Sequence, residues 1–199
     1  AAISNIGIAA VVSGGPDGLI ASHVPVELVS EPAPLGAIRC HFALPNAQVK
    51  AIEDGRELLF IFQGAQGYVT PSWYPTKRRT GKVVPTLNYV AVHAYGTAAA
   101  ILDGVELRAH LAALTGRFEG AYEAPWKIDD APADYIDAMC RAITGIRVPI
   151  SRIEGKWKLS QNRTLDDRRG VVEGLREQGG DAGLTMADLV EDAIGDDGD

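Results

Sequence analysis

Over much of its first two thirds the chain alternates apolar and polar positions with the period of two that marks half-buried strands. Residues 6–12 (IGIAAVV) are small and apolar, and the GGPDG of 14–18 is rich in residues that permit or fix turn dihedrals, so together they predict a β-hairpin. The next run sets Ile20, Ser22, Val24, Val26 and Leu28 on one face and Ala21, His23, Pro25 and Glu27 on the other. Residues 37–44 repeat the device, with Ile38, Cys40, Phe42 and Leu44 opposite Arg39, His41 and Ala43. A short helix is predicted next, with Asn46 as its N-cap and Gly55 just past its end. The continuous run LLFIFQ at 58–63 predicts a strand buried on both faces, GYVTPSW a further strand, and residues 86–102 a long one.

The period then lengthens to that of a helix. Asp103 with Glu106 three positions on is a capping box, and Leu107, Leu111, Leu114 and Phe118 form one stripe, predicting a helix over about 103–118. Asp130 and Pro132 open a second, over about 131–144, with Tyr135, Met139 and Ile143 as its stripe and Gly145 closing it. IRVPISRI alternates as a strand until Ser151, where Arg152 and Ile153 reverse the phase, so a bulge or bend is expected before EGKWKLSQN at 154–162. Many short strands with helices inserted late predict a mainly β fold, a small antiparallel β-barrel with peripheral helices, rather than a doubly wound sheet. The barrel domain is expected over 1–163. From 164 to 199 the glycine-bearing DDRRG and EQGGDAG, then six acids and no Lys or Arg after Met186, predict a polar tail, partly helical or disordered.

Composition adjusts this picture little: 199 residues, 46% hydrophobic and 23% charged, suit one ordinary domain. No window approaches the ~18 apolar residues of a membrane span, and no basic segment followed by an apolar one opens the chain, so a cytoplasmic protein with no membrane contact is expected. The chain starts at Ala1 and Ala2, and a natural N-terminus upstream is expected. Cys40 and Cys140 are too few for a disulfide framework and predict core-facing thiols. A net charge of -7 opposes broad binding to nucleic acid, which needs basic surface against phosphates.

Candidate chemistry is sparse. There is no GxGxxG after a strand, no GxSxG and no HExxH, and Gly81-Lys82 lacks the upstream glycine and the following Ser or Thr of a P-loop. His23 and His41 fall on the polar faces of neighbouring predicted strands and can approach each other there, but no third ligand accompanies them, so no metal is assigned. His110, on a helix, is expected at the surface. In SWYPTKRRTGKVVPT, at 72–86, Lys77, Arg78, Arg79 and Lys82 follow an aromatic pair, Trp73 and Tyr74, expected to be exposed. That density of charge, with Ser72, Thr76, Thr80 and Thr86, suits a phosphate dianion; a solvated hairpin loop is the plainer account. EGKWKLSQN likewise has two readings. It is an edge strand whose lysines snorkel, or a lid in which Trp157 and Lys158 pack beside a flat ligand while Ser160, Gln161 and Asn162 address its polar edge.

Read together, ASHVP at 21–25, HFALPNAQ at 41–48, IFQGAQGYVTPSWYPTK at 61–77, GKVVPTLNYVAVHAYG at 81–96 and EGKWKLSQN resemble the PaiB family. These bacterial proteins are known as FMN-binding negative transcriptional regulators with the split-barrel fold of pyridoxamine phosphate oxidases. The resemblance implies FMN as cofactor and a homodimer with the flavin at the barrel interface. It further implies that Ala21, Ser22, His23 and Val24 line the flavin ring or its ribityl chain. By the same resemblance His41, Ala43, Asn46 and Gln48 gather phosphate and ribityl donors, Tyr74 and Lys77 stand near them, and Trp157 and Lys158 belong to a C-terminal loop that reaches the partner's flavin. One departure is VPTLNY, with Leu87 where the family carries Trp. Two functions follow: repression through flavin redox state, with direct DNA contact disfavoured by the acidic balance, or an FMN-dependent oxidoreductase or flavin reductase that takes electrons from NAD(P)H. Haem is disfavoured, since no histidine follows His110.

Overall fold

The structure, a computed structural model, describes residues 2–15 and 18–196. In chain order its elements are α1 (Ala2–Ile6), β1 (Ile8–Gly15), β2 (Gly18–Val29), β3 (Ala37–Ala43), α2 (Gln48–Glu53), β4 (Glu57–Val69), α3 (Pro75–Thr80), β5 (Thr86–Thr97), β6 (Ala100–Ile101), α4 (Gly104–Glu119), α5 (Ala133–Cys140), β7 (Ile143–Pro149), β8 (Arg152–Lys158), α6 (Leu165–Gln178) and α7 (Asp181–Asp196). The strands are ordered β6-β7-β3-β2-β1-β4-β5-β8. Contacts divide the chain into two compact units, residues 1–62 with 92–154, and residues 63–91 with 155–199. Among the described residues no helix is long and apolar enough to cross a membrane.

In the first unit β1 and β2 form the expected antiparallel hairpin, in register from Ile8↔Pro25 to Gly15↔Gly18. Pro16 and Asp17, part of the predicted turn, lie outside the described residues. β1 also pairs with β4 (Val11↔Phe60), β2 with β3 (Val26↔Cys40) and β3 with β7 (Cys40↔Ile146), all antiparallel. These registers turn the alternating apolar positions to one side, where Val11, Val24, Val26, Ile38, Cys40, Phe42, Leu58, Phe60, Phe62 and Ile146 share a core. The LLFIFQ run is therefore not buried on both faces. Leu58, Phe60 and Phe62 are buried while Leu59 and Ile61 are half-buried, as an antiparallel strand with a single packed face requires. GYVTPSW is not a separate strand either: β4 continues to Val69, and a 3-10 turn at Pro71–Trp73 follows, capped by the Thr70 side chain accepting from the Ser72 N–H.

Both inserted helices form, with shifted faces. The Asp103 carboxylate caps α4 by accepting from the N–H groups of Val105 and Glu106 at 2.9 and 2.8 Å. Glu106 pairs with Arg147 instead of completing the capping box. The buried face of α4 is Leu107, His110 and Leu114, and Phe118 is exposed. On α5 it is Ile136 that is buried while Tyr135 and Met139 are exposed, one residue out of phase with the predicted stripe, and Gly145 lies inside β7 rather than closing the helix.

The second unit has its own core of Val69, Tyr74, Leu159, Val171, Val172, Leu175, Met186, Ala187 and Val190. Residues 164–196, part of the stretch expected to be a polar, partly helical or disordered tail, supply two helices to it. Thr164 caps α6 by accepting from the Asp167 N–H at 3.3 Å. Val171, Val172 and Leu175 on α6, and Met186, Ala187 and Val190 on α7, repeat one helical spacing, i, i+1, i+4. Close approach completes the packing. A Cβ added to Gly174 would stand 2.2 Å from Trp73 Cδ2 and one on Gly170 2.1 Å from the Trp73 carbonyl oxygen, so glycines one turn apart seat α6 against the Pro71–Trp73 turn.

Candidate functional site

In the first unit the structure brings together Ser22 of β2 and the Asn46–Gln48 stretch that opens α2. Asn46 Nδ2 donates to Ser22 Oγ at 3.0 Å, and Asn46 Oδ1 accepts from the Gln48 N–H at 2.8 Å. Ala47, not Asn46, holds the N-cap position, yet the Asn46 side chain satisfies the first helical N–H by a local turn of its own. Gln48 is wholly buried: its Nε2 donates to the Val11 carbonyl at 3.0 Å and to Ser13 Oγ at 3.1 Å, and its buried Oε1 has no hydrogen-bond partner among the described residues. Ala21, His23 and Ala43 are exposed, whereas the Val24 side chain belongs to the core. Val24 and Gln48 can therefore serve a ligand only through backbone or by holding their neighbours, since their side chains face inward.

His23 and His41 do not form a pair. His41 Nδ1 meets His110 Nε2 at 3.2 Å, and His110 Nδ1 meets Glu27 Oε2 at 3.0 Å. His110 is fully buried rather than at the surface, because positions 107, 110 and 114 share one helical face. Arg39 Nη1 stands 3.9 Å from the same Glu27 oxygen. Burial holds both rings below the ordinary histidine value; the neighbouring His110 adds to the effect on His41, while Glu27 opposes it on His110. Setting His41 beside His23, and His110 at the surface, missed this triad. Its available signal was the position of His110 between Leu107 and Leu114.

In the second unit the basic stretch is a helix, α3, not a hairpin loop, and Pro75 at its first turn explains why. Lys77, Arg78 and Arg79 occupy its last turn, where cations suit the carbonyl end of the helix dipole, and Gly81 closes it at φ 67°. Tyr74 is buried, not exposed, its ring in the core under the Arg163 guanidinium at 4.7 Å. Lys77 is exposed, its Nζ 3.4 Å from Ser72 Oγ. Trp157, on β8, lies partly exposed across its own strand. A Cβ on Gly155 would meet its ring at 2.3 Å, so that glycine makes room for the indole. Lys158 turns to donate to Thr86 Oγ1 at 2.5 Å.

Two of the polar residues after Trp157 are engaged by the protein itself. Ser160, at φ 62°, exchanges hydrogen bonds with the Asn88 carboxamide at 3.0 and 3.2 Å. Gln161 accepts from the Leu159 N–H and donates to the Trp157 carbonyl. Ser160 and Gln161 thus shape the turn that follows β8 instead of addressing a ligand edge. Taken by chemistry, the exposed and half-buried polar residues of the first unit suit part of FMN: Ser22, His23 and Asn46 are neutral donors and acceptors of the kind a ribityl chain meets.

Comparison with known proteins gives a consistent family. The family model described as "Putative FMN-binding domain" matches residues 1–152. The chain is 32% identical over 154 residues to the protease synthase and sporulation protein PAI 2 of Bacillus subtilis, covering 77% of this chain and 72% of that one. It is also 36% identical over 183 residues to an uncharacterised protein of Emericella nidulans, covering 79% and 73% respectively, so relatives extend to fungi. Among solved structures it shares its fold with the FAD and haem binding protein from Mycobacterium smegmatis, at a TM-score of 0.56 and 14% identity over 84% of this chain and 73% of that one. The flavocytochrome from Azotobacter vinelandii is similar at a TM-score of 0.56 and 11% identity, over 84% and 70%.

Proposed function

The chain belongs to the PaiB family of FMN-binding split-barrel proteins, with FMN as its cofactor, and from that premise we propose that it is a negative regulator of transcription that responds to the redox state of its flavin. In this reading Ala21, Ser22, His23 and the backbone at Val24 run along the flavin, with Ala43, Asn46 and Gln48 ordering the ribityl side. The observation that carries it is the Ser22–Asn46–Gln48 network, which fixes two neutral side chains of the matched motifs by hydrogen bonds of 3.0 and 2.8 Å. His41, engaged by His110, stands apart from this set. Tyr74 and Lys158 support the second unit, and Lys77, exposed on that unit, is proposed to meet a phosphate. The active species is proposed to be a homodimer, and regulation to pass through a protein partner, since a net charge of -7 disfavours a phosphate backbone.

The experiment is a fluorescence titration of flavin-stripped protein with FMN, followed by gel shifts on upstream DNA with oxidised and reduced flavin at physiological salt. Saturable quenching is expected, with weaker binding in Asn46→Ala and Trp157→Ala. Unchanged FMN affinity in both variants would refute the site. A second reading, an FMN-dependent oxidoreductase without DNA contact, is favoured by the same acidic balance. Anaerobic bleaching of the bound flavin by NADPH, with no redox-dependent effect on any promoter complex, would establish it over the first.

A further inference from the structure

Within the first unit a groove of about 320 Å³ is lined by Pro25, His41, Leu111, Leu114, Phe118 and Trp126, with Thr115 and Glu119 at its margin. Its walls are chiefly apolar and two of them are aromatic. His41 is its one imidazole, and behind His41 stands the buried run of contacts to His110 and Glu27.

Hydrogen-bond logic assigns the tautomers along that run. An ionised carboxylate only accepts, so the proton between Glu27 and His110 sits on His110 Nδ1. A neutral imidazole carries a single N–H, which leaves His110 Nε2 as an acceptor. The 3.2 Å contact then requires a proton on His41 Nδ1. His41 Nε2 is consequently a lone pair, and no hydrogen bond among the described residues uses it. Because His110 is fully buried, water does not compete for its two contacts.

We propose that His41 is the proton acceptor for a ligand bound in this groove, a small aromatic molecule bearing one weakly acidic hydroxyl, with His110 and Glu27 as positioning residues that take up the charge. The ring matches Leu111, Leu114, Phe118 and Trp126, and the groove has the capacity of a small-ligand site. The hydroxyl O–H bond breaks, its electron pair staying on oxygen and its proton going to His41 Nε2. The proton on His41 Nδ1 crosses to His110 Nε2. One positive charge thereby ends on His110 against the Glu27 carboxylate, one negative charge on the ligand oxygen, and the total is unchanged. The charged and titratable groups that face the pair are Glu27 and Arg39 from the strands and Glu119 from α4. Burial favours the neutral form of both rings, the form a base requires.

The inference does not depend on how FMN is held, and its test separates the two. Nitrogen-15 NMR of the histidine rings in the unliganded full chain should find His41 protonated at Nδ1 and bare at Nε2, with His110 in the same tautomer. The opposite tautomer at His41 overturns the assignment. para-Nitrophenol is then added to the FMN-loaded protein and followed by difference absorption with the flavin spectrum subtracted. Below the phenol's own pKa the bound fraction should show the phenolate band. His41→Phe should still bind the phenol through the apolar walls but leave it protonated, and Glu27→Gln should lower the phenolate fraction while its FMN affinity stays at the wild-type value. A phenolate fraction equal in wild type and His41→Phe, or no binding to the wild type, would overturn the proposal.

Discussion

In the first unit the core is assembled by strands whose apolar residues alternate, whereas in the second it is assembled largely by two helices whose sequence is mostly polar. Val11, Val26, Cys40 and Phe60 come from four strands and meet through antiparallel registers. Val171, Val172, Leu175, Met186 and Val190 come from 20 residues of α6 and α7 that also hold Glu173, Arg176, Glu177, Asp181 and Asp188. The units differ equally in their polar interior. All four histidines are in the first, where two of them form a line with Glu27, while the second relies on glycines against Trp73 and on the Asn88–Ser160 pair. A strand core tolerates a buried polar line because alternation leaves a second face free for it, here the one covered by α4. A small helical core gains its contacts by bringing backbones close.

Phe60→Ala should destabilise the first unit by about 3–5 kcal/mol, because it removes a fully buried ring and leaves a cavity. Amide exchange should lose protection in β1 and β4, and intact protection there would show that the strand core is not organised around this ring. Gly174→Ala tests the second unit from the opposite direction. The added methyl would meet Trp73 at 2.2 Å, so overpacking should cost about 1–3 kcal/mol, read as lost protection in α6. A smaller effect belongs to Asp103→Ala, which removes the α4 cap and should cost about 1 kcal/mol in chemical denaturation without altering α6 or α7.

The two polar interiors should also respond differently to pH. His41 and His110 lie below the ordinary value of 6.5 in the folded chain, so the unfolded chain binds more protons as the solution is acidified. Their contribution to stability is complete above pH 6.5 and is lost as pH falls through the lowered values, with a slope of at most about 1.4 kcal/mol per pH unit for each proton. Amide exchange between pH 7 and pH 5.5 should therefore loosen the first unit, and His41→Gln should flatten the dependence. The second unit contains no histidine and should not respond over that interval.

Much of the strand order of events was legible because period two is a local signal: each residue's neighbours two positions away share its face. That is why Val24, Val26, Ile38, Cys40 and Phe42 were placed correctly on inward faces. The site was legible as motifs but not as geometry. Ser22 and Asn46 stood out only for lying in matched stretches, and their bond spans 24 positions. His110 was misplaced because a polar residue on an apolar stripe reads as surface until its partners are known, and those partners are 69 and 83 positions away. Tyr74 was misplaced for the converse reason. Beside Trp73 and a run of cations it read as exposed, although α6 and α7 supply the cover that buries it.

By itself the sequence determined the mainly β character, the hairpin, the capped helix after Asp103 and, through five ordered motifs, membership of a flavin-binding family. These rest on periodicity, on turn and cap chemistry, and on residue identity, all of which act over a few positions. Only the tertiary structure decided that the polar end folds into a helical core, that Gly155 and Gly174 make room for indoles, and that Glu27, His110 and His41 form one line. Each of those depends on groups brought together by register and packing across tens of positions, and such distances leave no periodic trace in the chain.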